Sequence, residues 1–234
     1  MSNKKLIVNA DDFGQSPGLN SGIIKALEQG IVTSASLMVR YPAARDAAVY
    51  ARNNNKLGIG LHIDLGEWII ADGEWKSLYE VVSMDNIKAV EDEINQQLSS
   101  FYKLMGKKPT HIDSHQHVHK RENLQPIFLE LAAKLNITLR GCSQNVNYCG
   151  NFYGQSFDGS PYHAAISVEG LKRIIAGLPD GITELACHPG LMDDIETMYR
   201  TERELEVNTL SNVEIQETIF NANIELCSFE GIPF

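Results

Sequence analysis

No two cysteines in this chain are spaced C-x-x-C. The four present, Cys142, Cys149, Cys187 and Cys227, match no zinc-finger spacing. They read as small buried hydrophobes of a reduced protein. Positive charge is also scarce. Twenty Lys and Arg face 30 Asp and Glu, for a net charge of −10. Nucleic-acid binding needs a concentrated basic surface, so that partner is excluded. No apolar run approaches the ~20 residues of a membrane span, so no membrane partner is expected. The opening MSNKKLIVNADD carries two lysines, but its apolar run is too short for a signal-peptide core and ends in acids. A cytoplasmic protein is expected. Internal repeats, low-complexity tracts and Gly/Pro/Ser-rich linkers are missing as well, so residues 1–234 are expected to form one domain. What remains, 43% hydrophobic and 21% charged residues, is the composition of an ordinary soluble globular chain.

Short apolar runs alternate with helical patterns. Strands are expected at 5–10, 32–39, 57–65, 110–114, 137–141, 181–188 and 224–229. Helices are expected at 18–30, 42–54, 85–105, 123–135 and 167–178, then near 202–210 and after Ser211. In the long helix Ile87, Val90, Ile94, Leu98, Phe101 and Met105 recur every three or four residues. Pro126 sits near a helix start, where proline is tolerated. Ser167 is an expected cap, and Ser211-x-x-Glu214 reads as a capping box. Strands alternating with helices imply parallel βαβ units. Seven or eight of them suit an α/β fold, a single TIM-like barrel, distorted or seven-stranded. An open doubly wound sheet is the alternative, but the first strand-to-helix turn lacks G-x-G-x-x-G.

The polar residues fall at strand ends. Asp11 and Asp12 close the first strand. His62 and Asp64 end GLHIDL, Asp113 and His115 end THIDS, Arg140 ends ITLR and His188 ends ELACH. In a barrel the C-terminal strand ends share one face, where active sites lie. Singly, each has a plain explanation: a helix cap for an aspartate, a hydrogen-bonded core histidine, a surface ion pair for an arginine. Five strand ends together point to a site. Four of the seven histidines lie in HIDSHQHVH, His111 to His119, and neutral imidazole is a preferred transition-metal ligand. Along an extended segment His111, Asp113 and His115 share a side. Past the turn at His115 that parity fails, so His117 and His119 read better as hydrogen-bonded loop residues. Alternation aims Gly60, His62 and Asp64 inward, opposite Ile59, Leu61, Ile63 and Leu65. Two histidines and one carboxylate make a three-ligand site with open positions, as catalytic metals have. A cation there offsets the repulsion of the adjacent aspartates. One carboxylate then binds metal and the other takes a proton.

NADDFG (Asn9 to Gly14), GLH (Gly60 to His62), THIDSHQHVH (Thr110 to His119) and ELACHPG (Glu184 to Gly190) together resemble the YdjC-like carbohydrate deacetylases, the family that includes chitooligosaccharide deacetylase. RTERELEVNTL (Arg200 to Leu210) resembles the family's C-terminal helix. The resemblance implies a distorted TIM-like barrel that removes an acetyl group from an N-acetylglucosamine-type sugar or chitooligosaccharide. It implies Asp12, His62 and His115 as metal ligands, Asp11 as general base and His188 as general acid. It implies magnesium, whereas two imidazoles favour zinc, cobalt or manganese. It also implies a homodimer. Arg140 is a candidate to hold Asp11 ionised by charge pairing, and Asp113 to orient a ligand histidine. HIDLGEW departs from the family pattern with Asp64 and Glu67.

Two segments read as substrate loops. Gly66 to Tyr79 carries the turn signal Asp72-Gly73 and displays Trp68, Trp75 and Tyr79. Asn145 to His163 is long, polar and aromatic. Aromatic rings suit the C–H faces of sugars; packing against the barrel end explains them equally. Trp68 and His117 are the candidate substrate contacts. The rival activities are a metal-dependent phosphoesterase or amidohydrolase on a similar barrel, and a non-catalytic sugar-binding protein.

Overall fold

The computed structural model describes residues 3–71, 73–191 and 194–232. In chain order the elements are β1 (Lys4–Phe13), α1 (Pro17–Gln29), β2 (Ser34–Leu37), α2 (Ala44–Arg52), β3 (Gly58–Ile63), β4 (Gly66–Ala71), β5 (Glu74–Glu80), α3 (Ile87–Met105), β6 (His111–Ser114), α4 (Gln125–Leu135), β7 (Thr138–Leu139), β8 (Val146–Cys149), α5 (Val168–Ala176), β9 (Gly181–Cys187), α6 (Thr201–Leu210), α7 (Val213–Asn221) and β10 (Glu225–Leu226). A 3-10 stretch, His115–Lys120, links β6 towards α4. Among the described residues no helix is long and apolar enough to cross a membrane.

The main sheet runs β7-β6-β3-β2-β1-β9-β8, and every pairing in it is parallel. It is a nearly closed, barrel-shaped α/β sheet of the distorted TIM-like kind. The seam lies between β7 and β8. β10 pairs with Lys5 and Leu6 at the start of β1, the half of that edge which β2 leaves free.

Alternation divides the strands as the sequence implies. Ile59, Leu61 and Ile63 point outward into the core under the helices, with Val90, Ile94, Phe101 and Met105 of α3 in the same buried cluster. Each such side chain contributes about 1.5–3 kcal/mol on full burial. The inward residues are polar. Asn9, Ser36, Asp113, Arg140 and Glu184 are all essentially inaccessible. Gly60 faces inward because the His111 ring fills the space beside it. A Cβ at Gly60 would lie 2.4 Å from that ring, which itself stacks on Phe229 at 3.9 Å.

Some expectations shift. Gly66 to Tyr79 forms an antiparallel hairpin, β4 with β5, from Gly66↔Glu80 to Ala71↔Glu74. Asp72 of the expected turn lies outside the described residues. The loop Asn145 to His163 contains β8. Ser167 does cap α5, accepting from the Gly170 N–H, and proline sits in the first turn of α4. The capping box at Ser211 is not formed. Asn212 caps α7 instead, accepting from the Glu214 N–H. The last strand shrinks to two residues.

Candidate active site

Two adjacent aspartates on one strand should point to opposite faces. Here both face the cleft, because β1 carries a bulge. Ala10 pairs with Ala35 and Phe13 with Leu37, so three steps on β1 match two on β2. The extra residue breaks the alternation. Asp12 takes a left-handed φ of 65°, which aspartate tolerates better than most residues.

Asp12 then divides its oxygens. Oδ2 accepts from Arg203 of α6 at 2.8 Å. Oδ1 lies 3.3 Å from His62 Nε2 and 3.1 Å from His115 Nδ1. His62 is oriented from behind, its Nδ1 2.8 Å from Asp113 Oδ1. The ring nitrogens His62 Nε2 and His115 Nε2 are buried without a hydrogen-bond partner. Burial alone would lower both histidines, but Asp113 and Asp12 outweigh it. His62 is raised to about 10 and His115 to about 9. The cluster thus favours positive charge at its centre, which a bound cation supplies.

Asp12, His62 and His115 offer one ligand atom each within 4.8 Å of one another. Asp11, His62 and Asp113 do so too, but those carboxylates are already compensated by Arg140. Its guanidinium grips Asp11 through two bonds of 2.6 Å, Asp113 at 2.7 Å and Glu184 at 2.7 Å. The first trio therefore fits a divalent cation, with donor chemistry suited to a catalytic metal. Burial pushes the Asp11 carboxyl up, yet Arg140 prevails and holds it below the ordinary range.

His188 follows β9, with Nε2 3.6 Å from Asp11 Oδ2. Burial pushes it down to about 4, so its resting form is neutral. Its ring packs edge-on against Tyr153 and Tyr199, which stack on each other at 4.5 Å, and its backbone N–H donates to Glu206 of α6. Glu206 also accepts from the Tyr199 hydroxyl.

These groups line one cavity of about 250 Å³, with Asp11, Asp12, His62, His115, His117 and His188 in its wall. His117 is turned there by successive left-handed residues, Gln116 (φ 49°) and His117 (φ 54°). Its Nε2 lies 2.9 Å from the Tyr148 hydroxyl. His119 points away, hydrogen-bonded to Ser114 and the Arg140 carbonyl. Trp68, expected as a substrate contact, is not in the cavity wall. The bulge between Glu67 and Trp68 sends Glu67 inward, to 3.5 Å from His115 Nε2, and leaves the Trp68 ring beside Arg121.

A family model for YdjC-like proteins matches residues 5–220. The chain belongs to the YdjC-like family. The carbohydrate deacetylase of Geobacillus stearothermophilus is 36% identical over 244 residues, 95% of this YdjC-like chain and 96% of its own. That of Clostridium beijerinckii is 31% identical, covering 97% and 100%. The crystal structure of an Enterococcus faecalis V583 protein, described in terms of cellobiose-phosphate cleavage, is 29% identical with a TM-score of 0.82 over all of both chains. A family 4 carbohydrate esterase from Streptomyces lividans shares the fold, at TM-score 0.56 and 13% identity, covering 97% and 93%.

Arg203, Glu206, Tyr199 and Glu184 carry no candidate role in the sequence pattern alone. Arg203 and Glu206 are three apart on a helix, which places them on one face. That spacing within RTERELEVNTL was the available signal. Glu184 was visible only as a letter in ELACHPG.

Proposed function

We propose that this YdjC-like protein is a metal-dependent carbohydrate deacetylase. It hydrolyses the N-acetyl group of an N-acetylglucosamine-type sugar or chitooligosaccharide to acetate and an amino sugar. The observation that carries the reading is the single cleft in which Asp12, His62 and His115 stand beside Asp11 and His188. The names of the deacetylase relatives support it.

Asp12, His62 and His115 would hold the cation, magnesium by family resemblance or a transition metal by donor type. When bound, the metal polarises the amide carbonyl and lowers the pKa of water. Asp11 takes the proton of the attacking water. Arg140 fixes that carboxylate in place and in its ionised form. The water oxygen bonds to the acetyl carbon, the C–N bond breaks, and the amine nitrogen must gain a proton to leave. His188 Nε2, neutral at rest and 3.6 Å from Asp11, accepts the proton from Asp11 and delivers it to that nitrogen. Asp113 keeps His62 in the tautomer that directs Nε2 into the cleft.

Acetate release from N-acetylglucosamine and short chitin oligomers, before and after chelation and after metal add-back, tests this. Release that needs the metal is expected. Full activity of metal-free protein would sink the mechanism. Phosphate release without acetate from a phosphorylated disaccharide would establish the rival phosphoesterase instead. The expected homodimer belongs to the same reading, and sedimentation equilibrium measures it.

A further inference from the structure

The wall of the cleft includes Glu67. This buried carboxylate also lines a second cavity, of about 670 Å³, between the start of α1, the start of α2, β5 and residues 194–196. Tyr41 and Tyr79 lie in its wall. Their hydroxyls are 2.8 Å apart and both reach the buried Asp64, whose charge Arg40 meets at 2.7 Å. The tyrosines are thereby fixed, with ring surface free to pack against a ligand.

The groove is acidic. Asp46, Glu67, Asp194 and Glu196 line it, and no lysine, arginine or histidine does so among the described residues. Asp194 is committed, accepting from the Ser16 hydroxyl and the Gly18 N–H. Asp46 and Glu196 are exposed to the groove. A metal does not answer this charge, because among the described residues the sets able to hold an ion both lie in the catalytic cleft. A second observation points to a ligand. Gln15 is 8% exposed, lines the groove, and keeps its carbonyl oxygen buried without a donor. A buried acceptor left so is a standing penalty that a bound donor removes.

A ligand suited to this wall brings positive charge, several hydrogen-bond donors and a flat apolar face. We infer that the groove binds a protonated amino sugar, the unit adjoining the acetylated sugar in a partly deacetylated oligosaccharide. The assignment of the neighbouring unit rests on the deacetylase reading; the amine preference rests on the groove alone. The enzyme then favours a chain in which one unit is already a free amine over the fully acetylated chain.

Calorimetry with two probes tests this: the fully deacetylated glucosamine disaccharide and its diacetylated counterpart. Acetate release from the two mono-deacetylated disaccharides runs alongside. The diamine is expected to bind at least about threefold tighter at low salt, and the margin to shrink as salt screens it. Asp46→Asn and Glu196→Gln, both exposed and outside the catalytic machinery, should each weaken the diamine roughly two- to fivefold and leave the diacetylated sugar unchanged. Equal binding of the two probes, or losses shared by both, overturns the inference. Acetate release without an amine preference removes the groove and leaves the deacetylase. An amine preference in a protein that releases no acetate removes the deacetylase reading and leaves an amino-sugar site.

Discussion

Asp11 and Asp12 are neighbours in the chain, yet each has its own cationic company. Arg140 holds Asp11 in a bidentate grip, while Asp12 gives one oxygen to Arg203 and the other to two histidines. Removing either should therefore fail differently. Asp11→Asn should lower kcat by ~10²–10⁴ with bound metal unchanged. Asp12→Asn should lose the metal, read by elemental analysis, and lose activity with it. Equal metal loss in both would erase the division of labour. Glu206 makes a second prediction at this scale. Burial raises it to about 8 in the folded chain, against an ordinary value near 4.5. The folded state thus holds that proton more tightly, and stability falls as pH climbs from about 4.5 through about 8. Glu206→Gln should flatten that decline in unfolding free energy, measured by urea unfolding across the pH range, by an amount of order a few kcal/mol. An unchanged slope would mean that Tyr199 and the His188 N–H already stabilise the carboxylate. The strand-end ligands were legible because they end apolar runs. Arg203 and Glu206 were not, because they reach Asp12 and the back of His188 from a helix whose sequence looks like any charged surface.

The elements with a strong apolar period, β1, β3, α3 and β9, were readable from sequence because burial on one or both faces dictated their residues. β8 was not, since it lies at the open seam with only Val146 of its four residues buried. NVNYC therefore shows no apolar run. The β1 bulge was equally hidden, because an extra residue leaves no mark on composition. One contact between elements is visible only in three dimensions. Gly22 of α1 packs on the turn after His188, where an added Cβ would lie 2.4 Å from Gly190 Cα. The same turn is tied down by Gly190 N–H to the Arg203 carbonyl and Leu191 N–H to the Gly18 carbonyl. Backbone meets backbone there, so no side-chain rotation relieves a clash. Gly22→Ala should cost about 1–3 kcal/mol in thermal unfolding and lower kcat by moving His188. Wild-type kcat in that variant would show that the turn adjusts without disturbing the imidazole.

Across the whole molecule, the sheet stops short of a closed barrel. β7 pairs with β6 and β8 with β9, and among the described residues no ladder joins β7 to β8. Arg140, just past β7, spans that seam with a side chain. It binds Glu184 on β9, Asp11 on β1 and Asp113 on β6, and stands over the Tyr148 ring of β8 at 5.6 Å. One guanidinium thus ties the catalytic carboxylate to the closure of the fold. Its planar fork makes four such contacts at once, two of them to Asp11, one more than the three N–H of a lysine can donate. Arg140→Leu would leave Asp11, Asp113 and Glu184 buried together without a cation. The expected loss is at least about 3–5 kcal/mol, measured by urea unfolding at neutral pH. Glu184 is raised by burial to about 7 even with Arg140 present, and Asp11 and Asp113 are held down against burial chiefly by Arg140. Without that cation burial lifts all three carboxyls, so lowering the pH towards 4 should protonate them and recover much of the loss. Arg140→Leu with unfolding free energy close to wild type would mean that the seam is held by packing of the loops over it rather than by this ion cluster.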